Sequence, residues 1–202
     1  MDSNQVKDSS KNLGDIASIM NLKLHAGTLY VPVLKSLELE ATTDEPQSIF
    51  IAKGGGFTEQ LVADGPLREG ETVEDRIEKV IVNIKQFMAS NQMVDPEKHV
   101  FFYKDFQNEN GFSFKVYVQD MIFSRDDEQK IIRMLSGFFS SNDKFNDFYQ
   151  LSLSVGPFSY PTTMLKPGIV DPDDAVTKQV ITGLETIMSA IKHKHSEKNT
   201  EL

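Results

Sequence analysis

Hydrophobic and polar positions alternate with a period of two through much of the first third of the chain, the pattern of half-buried strands. Leu29, Val31 and Val33 share one parity, and Leu37, Leu39 and Ala41 alternate against Ser36, Glu38 and Glu40. Pro32 interrupts the first run and marks an edge strand or a bulge, because proline has no N–H to give to a ladder. The cleaner strand is expected over residues 35–42, with one apolar face and one carboxylate face. After a turn at residues 43–47, residues 48–53 and 57–63 read as two further strands separated by Gly54, Gly55 and Gly56. Ahead of them, residues 15–22 read as one short helical turn behind a polar arm.

The period then changes to 3.6. Val73, Ile77, Val80, Ile81, Ile84, Phe87 and Met88 fall on one helical stripe, with Glu74, Glu78, Lys79 and Lys85 off it. Thr72 is placed to cap this helix, and Asp75 stands three residues on, at capping-box spacing. Residues 99–123 form the longest and most aromatic strand pair, meeting at Asn108-Glu109-Asn110-Gly111, and are expected at the centre of the sheet. Phe112, Phe114, Val116 and Val118 give its second strand one apolar face. Val100, Phe101, Phe102 and Tyr103 are apolar on both faces. That fits an interior strand, or one covered by a helix on one side with an exposed aromatic patch on the other.

Ser124 is expected to cap a second helix. Asp126, Asp127 and Glu128 would occupy its first turn, where the dipole favours anions, and Ile131, Leu135, Phe138 and Phe139 its buried face. Residues 145–155 alternate again as a last strand, with Asp147 on the apolar parity at its start. Residues 156–168 are proline-rich and read as a surface loop. Asp171 is expected to cap the final helix with Pro172 at its first position, and Val176, Val180, Ile181, Leu184, Ile187, Met188 and Ile191 make its stripe.

These elements predict an α+β fold: a largely antiparallel sheet of about five to seven strands packed with two or three amphipathic helices in an α/β/α sandwich. One domain is expected over residues 21–192, between a flexible arm at 1–20 and a polar tail at 193–202. The order of elements resembles in layout the PsbP-like oxygen-evolving-complex subunits and their bacterial relatives. The resemblance is one of layout, with no motif matched residue by residue, so it implies a fold and carries over no site.

Composition narrows the function classes. With 202 residues, 39% hydrophobic and 25% charged, the chain is long enough for a sizeable core. A net charge of −9 argues against a nucleic-acid partner, which needs a basic face, and against anionic membrane surfaces. No apolar run approaches the roughly 20 residues of a membrane helix. The polar N-terminus has no basic start followed by an apolar core, which points to the cytoplasm. Export is the alternative, since a chain relieved of its signal peptide begins with the same kind of tail. The absence of cysteine excludes disulfides, thiol nucleophiles and cysteine-held metals.

Motifs add little chemistry. Gly54-Gly55-Gly56 does not open into a helix as a phosphate loop must, and reads as a bulge or turn. His193 and His195, two apart at a helix end, would point to different faces. The acidic clusters 126–128 and 171–174 suit helix N-termini better than a hard metal. No GxSxG, HExxH or EF-hand pattern occurs, and no cofactor or metal is expected. The surplus lies in aromatic residues between Phe101 and Tyr160, which serve a large core, an apolar groove or a subunit interface. The residues expected to line such a groove are Phe101, Tyr103, Phe106, Phe158, Tyr160 and Met164. The leading expectation is therefore a non-enzymatic binding or accessory protein that holds a protein partner, or a second copy, by an aromatic groove or a sheet edge. The alternative is an enzyme with an acid–base site where His99 or His25 meets a carboxylate. A third reading is a secretion chaperone, also small and acidic.

Overall fold

The computed structural model describes residues 16–18, 29–40, 49–161 and 163–193. Strands β1 (Ile16–Ser18), β2 (Leu29–Tyr30), β3 (Val33–Leu34), β4 (Glu38–Leu39), β5 (Ile49–Gly54) and β6 (Phe57–Pro66) precede helix α1 (Val73–Ser90). A short helix α2 (Pro96–His99) leads into β7 (Val100–Gln107), β8 (Ser113–Arg125), β9 (Glu128–Ser140) and β10 (Asp147–Ser159). Helix α3 (Ala175–Ala190) and β11 (Lys192–His193) follow. Seven strands form one antiparallel sheet in the order β4-β5-β6-β10-β9-β8-β7. Two meanders, β4 to β6 and β7 to β10, are thus joined where β10 lies against β6. Two small ribbons, β1 with β3 and β11 with β2, complete the pairing.

Strand alternation sends two sets of side chains to opposite faces, and each face meets a helix. On one, Phe114, Val116, Val118, Leu135, Phe139, Leu151 and Leu153 pack with Val180, Leu184 and Ile187 of α3. Leu29, Val31, Leu34 and Leu37 extend that layer. Gly137 lets α3 approach, since a Cβ there would come 2.7 Å from the Met188 sulfur. On the other face Phe138 and Phe148 meet Ile77 of α1, with Val73, Val80, Ile81 and Tyr117 around them. The Thr72–Asp75 capping box is formed, and Arg76 ties α1 to the end of β6 through Asp64, Glu71 and the Pro66 carbonyl. The expected stripe of α1 is only partly buried: Phe87 is 58% exposed.

The buried face toward α3 carries one full ion pair. Arg133 donates from Nε and Nη2 to both carboxylate oxygens of Asp120, at 2.8 and 2.9 Å. Its remaining N–H groups reach Thr177 and the carbonyls of Lys166 and Ile169, while Asp120 accepts the Gly168 N–H. Three of these bonds land on residues 166–169, so the pair pins the segment after β10 to the sheet. Such a pair is costly to desolvate and stable only when fully bonded, as here.

Several expectations are corrected. Residues 124–140 are not a helix but the second half of a hairpin, with Arg125 paired to Glu128 across Asp126 and Asp127. Both aspartates have positive φ (52° and 60°), the type I′ geometry that Asp tolerates, so the acidic cluster is a turn and not a helix start. Gly55 and Gly56, at φ 57° and 86°, make the matching turn between β5 and β6. The aromatic hairpin is not central: β10 holds the middle and β7 an edge. β10 runs on to Ser159, into the expected loop. Asp174, not Asp171, caps α3 by accepting the Thr177 N–H. Residues 16–18 are a strand, not a helical turn. The strand expected at 35–42 starts late, at β4, because the Leu37 N–H turns back to the Leu34 carbonyl; residues 41–42 lie outside the described residues. The arm 1–15, the turn 43–47 and the tail beyond 193 lie outside the described residues.

Candidate functional site

An edge strand offers a row of backbone N–H and C=O groups to any chain that can lie beside it. Among the described residues, the edge strand β4 has 2 residues and the edge strand β7 has 8. β7 pairs with β8 on its inner side, and among the described residues no strand pairs its outer side. Its register puts Phe101 opposite Val118, Phe102 opposite Tyr117, Lys104 opposite Val116, Asp105 opposite Lys115 and Phe106 opposite Phe114. The register shifts between Phe102 and Lys104, so Tyr103 is the extra residue of a bulge. The bulge resets which side chains face which layer. Phe101, Tyr103 and Phe106 are half-buried against the α3-side core. Lys104, the residue type that guards natural edges, is held by Glu185 of α3.

Phe102 points the other way and is 47% exposed. Its ring meets Tyr117 edge-on, with centroids 5.5 Å apart, and the Lys115 ammonium lies 5.9 Å from its centroid. Lys115 also bonds Asp105 at 2.9 Å and approaches Glu74 to 3.9 Å. The Asp105 bond, foremost, holds the Lys115 ammonium in its charged form beyond the usual range. The Tyr117 phenol is pushed up, by burial first; Lys115 opposes this, while the carboxylates of Glu78, Asp105 and Glu74 add to it. At this end of β7 a cavity of about 440 Å³ opens between the hairpin and the start of α1. Its lining includes Phe106, Phe138, Val73, Glu74, Asp105 and Lys115. A second cleft, of about 300 Å³, lies between α1 and the sheet, with Gln119 and Gln150 on its floor and Phe87 at its mouth.

The expected groove residues do not converge. Phe101, Tyr103 and Phe106 share β7, but Phe158 is 2% exposed and lies in the core opposite Ile131. Ile131 faces Ile122 and Phe106 faces Phe114, so at ~3.4 Å per residue the two rings stand roughly 27 Å apart along β8. Tyr160 packs half-buried on the core beyond Phe158, and Met164 is 84% exposed. What the alternation argument missed is Phe102 with Glu74, Glu78 and Asp105. The signal was present in a β7 apolar on both faces, but one bulge decides which rings turn outward.

The acid–base alternative fares differently at its two histidines. His99 is 7% exposed, and its Nδ1–H donates to the Val94 carbonyl at 2.9 Å. Glu97, its neighbour in sequence, bonds Lys85, and the Asp95 carbonyl takes the His99 backbone N–H. His25 lies outside the described residues, as does His195. His193 sits over Phe112, ring centroids 5.0 Å apart. Among the described residues no group of three or more His, Asp or Glu side chains could hold a metal ion, and no helix is long and apolar enough to cross a membrane. Comparison with known proteins brings no assignment: no family model matches the chain, and no curated protein is significantly similar to it.

Proposed function

We propose that the chain is a non-enzymatic binding protein that holds a protein partner along the outer edge of β7. The observation that carries this reading is the outer side of β7, a strand of 8 residues against which no strand pairs among the described residues. This edge is flanked by an exposed phenyl ring, and its lysine is turned away into an ion pair. An added strand gains main-chain hydrogen bonds along such an edge, and alternate side chains meet the two flanking surfaces. Phe101 and Phe106 offer apolar rims toward α3, and Phe102 an apolar platform toward α1. The test is selection of a displayed random-peptide library on the intact chain. Strand-forming peptides that lose binding to a Phe102→Asp variant are the expected outcome. Enriched peptides that bind this variant as well as the parent would refute docking at β7.

A further inference from the structure

We propose that the occupant of the β7 edge is an extended basic polypeptide segment whose Lys or Arg side chains alternate with apolar ones. The inference rests on the reading of β7 as a docking edge and adds the chemistry of the partner.

The Phe102 side of the edge is anionic. Glu74, Glu78 and Asp105 act together on Tyr117, the cross-strand neighbour whose ring meets Phe102 edge-on. Lys115, a cation that acts there, is already engaged by Asp105 and Glu74. Both of those carboxylates stay largely in solvent, with side chains 66% and 62% exposed, so each keeps open lone pairs for an incoming donor. A strand laid along β7 sends every second side chain to this face. A cation in that row meets the Phe102 ring and carboxylates at once, a pairing that favours Lys or Arg over any neutral residue. A cavity at the end of β7 has Val73, Glu74 and Asp105 in its lining. A long basic side chain can lay its stem on the Phe102 ring and bring its head to the carboxylates.

Charge also selects among occupants. A second copy of this chain would bring another −9, and an acidic segment would face the same three carboxylates. Both are repelled where a basic strand is attracted, and like-charge juxtaposition is a strong discriminator at interfaces.

The experiment titrates the full chain against three fluorescein-labelled peptides of equal length, alternating Val with Lys, Gln or Glu, and reads anisotropy at about 50 and 200 mM salt. The Lys peptide is expected to bind about tenfold or more tighter than the Gln peptide, with the advantage shrinking at the higher salt. The surface variant Glu74→Gln/Glu78→Gln/Asp105→Asn should remove most of that advantage, and Phe102→Ser should weaken both the Lys and the Gln peptide, the Lys peptide more. Equal binding of Lys and Gln peptides, both sensitive to Phe102→Ser, overturns the basic partner and leaves the docking edge standing. Lys-peptide binding indifferent to both variants is attraction to the acidic surface at large and overturns the inference. If no peptide binds, the inference and the docking edge fall together.

Discussion

Glu59 gives the sharpest stability test. It sits in β6 between Ala52 of β5 and Leu153 of β10, fully buried on the α3-side face. One oxygen accepts the Leu34 N–H at 3.2 Å, and the other has no hydrogen-bond partner. Burial therefore dominates, and it pushes the carboxyl from 4.5 up to about 8 despite the opposing backbone bond. The folded chain thus keeps a proton that the unfolded chain gives up between pH 4.5 and about 8. Stability from this group is complete below pH 4.5 and is lost as the pH rises through about 8. At about 1.4 kcal/mol per tenfold change in proton affinity, the full loss is on the order of 4–5 kcal/mol, an upper limit if β3 shifts to admit water. Glu59→Gln keeps the acceptor for Leu34 and removes the titration. Near pH 5 the amide N–H₂ lacks an acceptor, and the variant should be equal to the parent or about 1–2 kcal/mol less stable. By pH 8.5 it should be the more stable of the two. Urea midpoints for both chains from pH 5 to 8.5 make the comparison, since other titrating groups cancel in the difference. Parallel curves with no crossing would refute the buried, protonated Glu59.

Other substitutions probe the rest of the framework. Asp120→Ala strands a guanidinium that is 1% exposed and frees the Gly168 N–H, so a loss of about 3–5 kcal/mol in denaturant unfolding is expected. A loss below about 1 kcal/mol would show that Arg133 finds water or another partner. Thr72→Ala removes the bond to the Asp75 N–H and should cost about 1 kcal/mol, with less helical signal at α1 in exchange measurements. The Tyr149 hydroxyl is buried without a partner and its titration is pushed up by burial, so Tyr149→Phe should leave thermal stability equal or slightly raised. A drop of more than about 1 kcal/mol would reveal a bonded hydroxyl.

Where the period was clean, the sequence alone located the elements. The α1 box at Thr72 and Asp75 and the α3 stripe from Val176 to Ile187 were legible because capping and helical burial act over a few residues. The alternation of β8 and β10 was legible because one residue in two faces the core. β9 was not. Its buried parity runs Ile131, Arg133, Leu135, Gly137, Phe139, and the second and fourth members hide the pattern. Arg133 is there for Asp120 on a neighbouring strand, and Gly137 for Met188 on a distant helix. Ile131, Leu135 and Phe138 then mimic a helical stripe. The candidate site was half legible for a similar reason. The apolar run Val100–Tyr103 marked β7, but its edge position depends on β10 returning to β6, a contact between segments about ninety residues apart.

Hydrogen–deuterium exchange across the sheet, read peptide by peptide with and without a saturating strand-forming ligand, tests the docking edge most directly. Amide exchange should slow within Val100–Gln107 while β4 and β5, at the far edge, are unchanged. Slowing confined to β4 and β5, or to the cleft between α1 and the sheet, would contradict it.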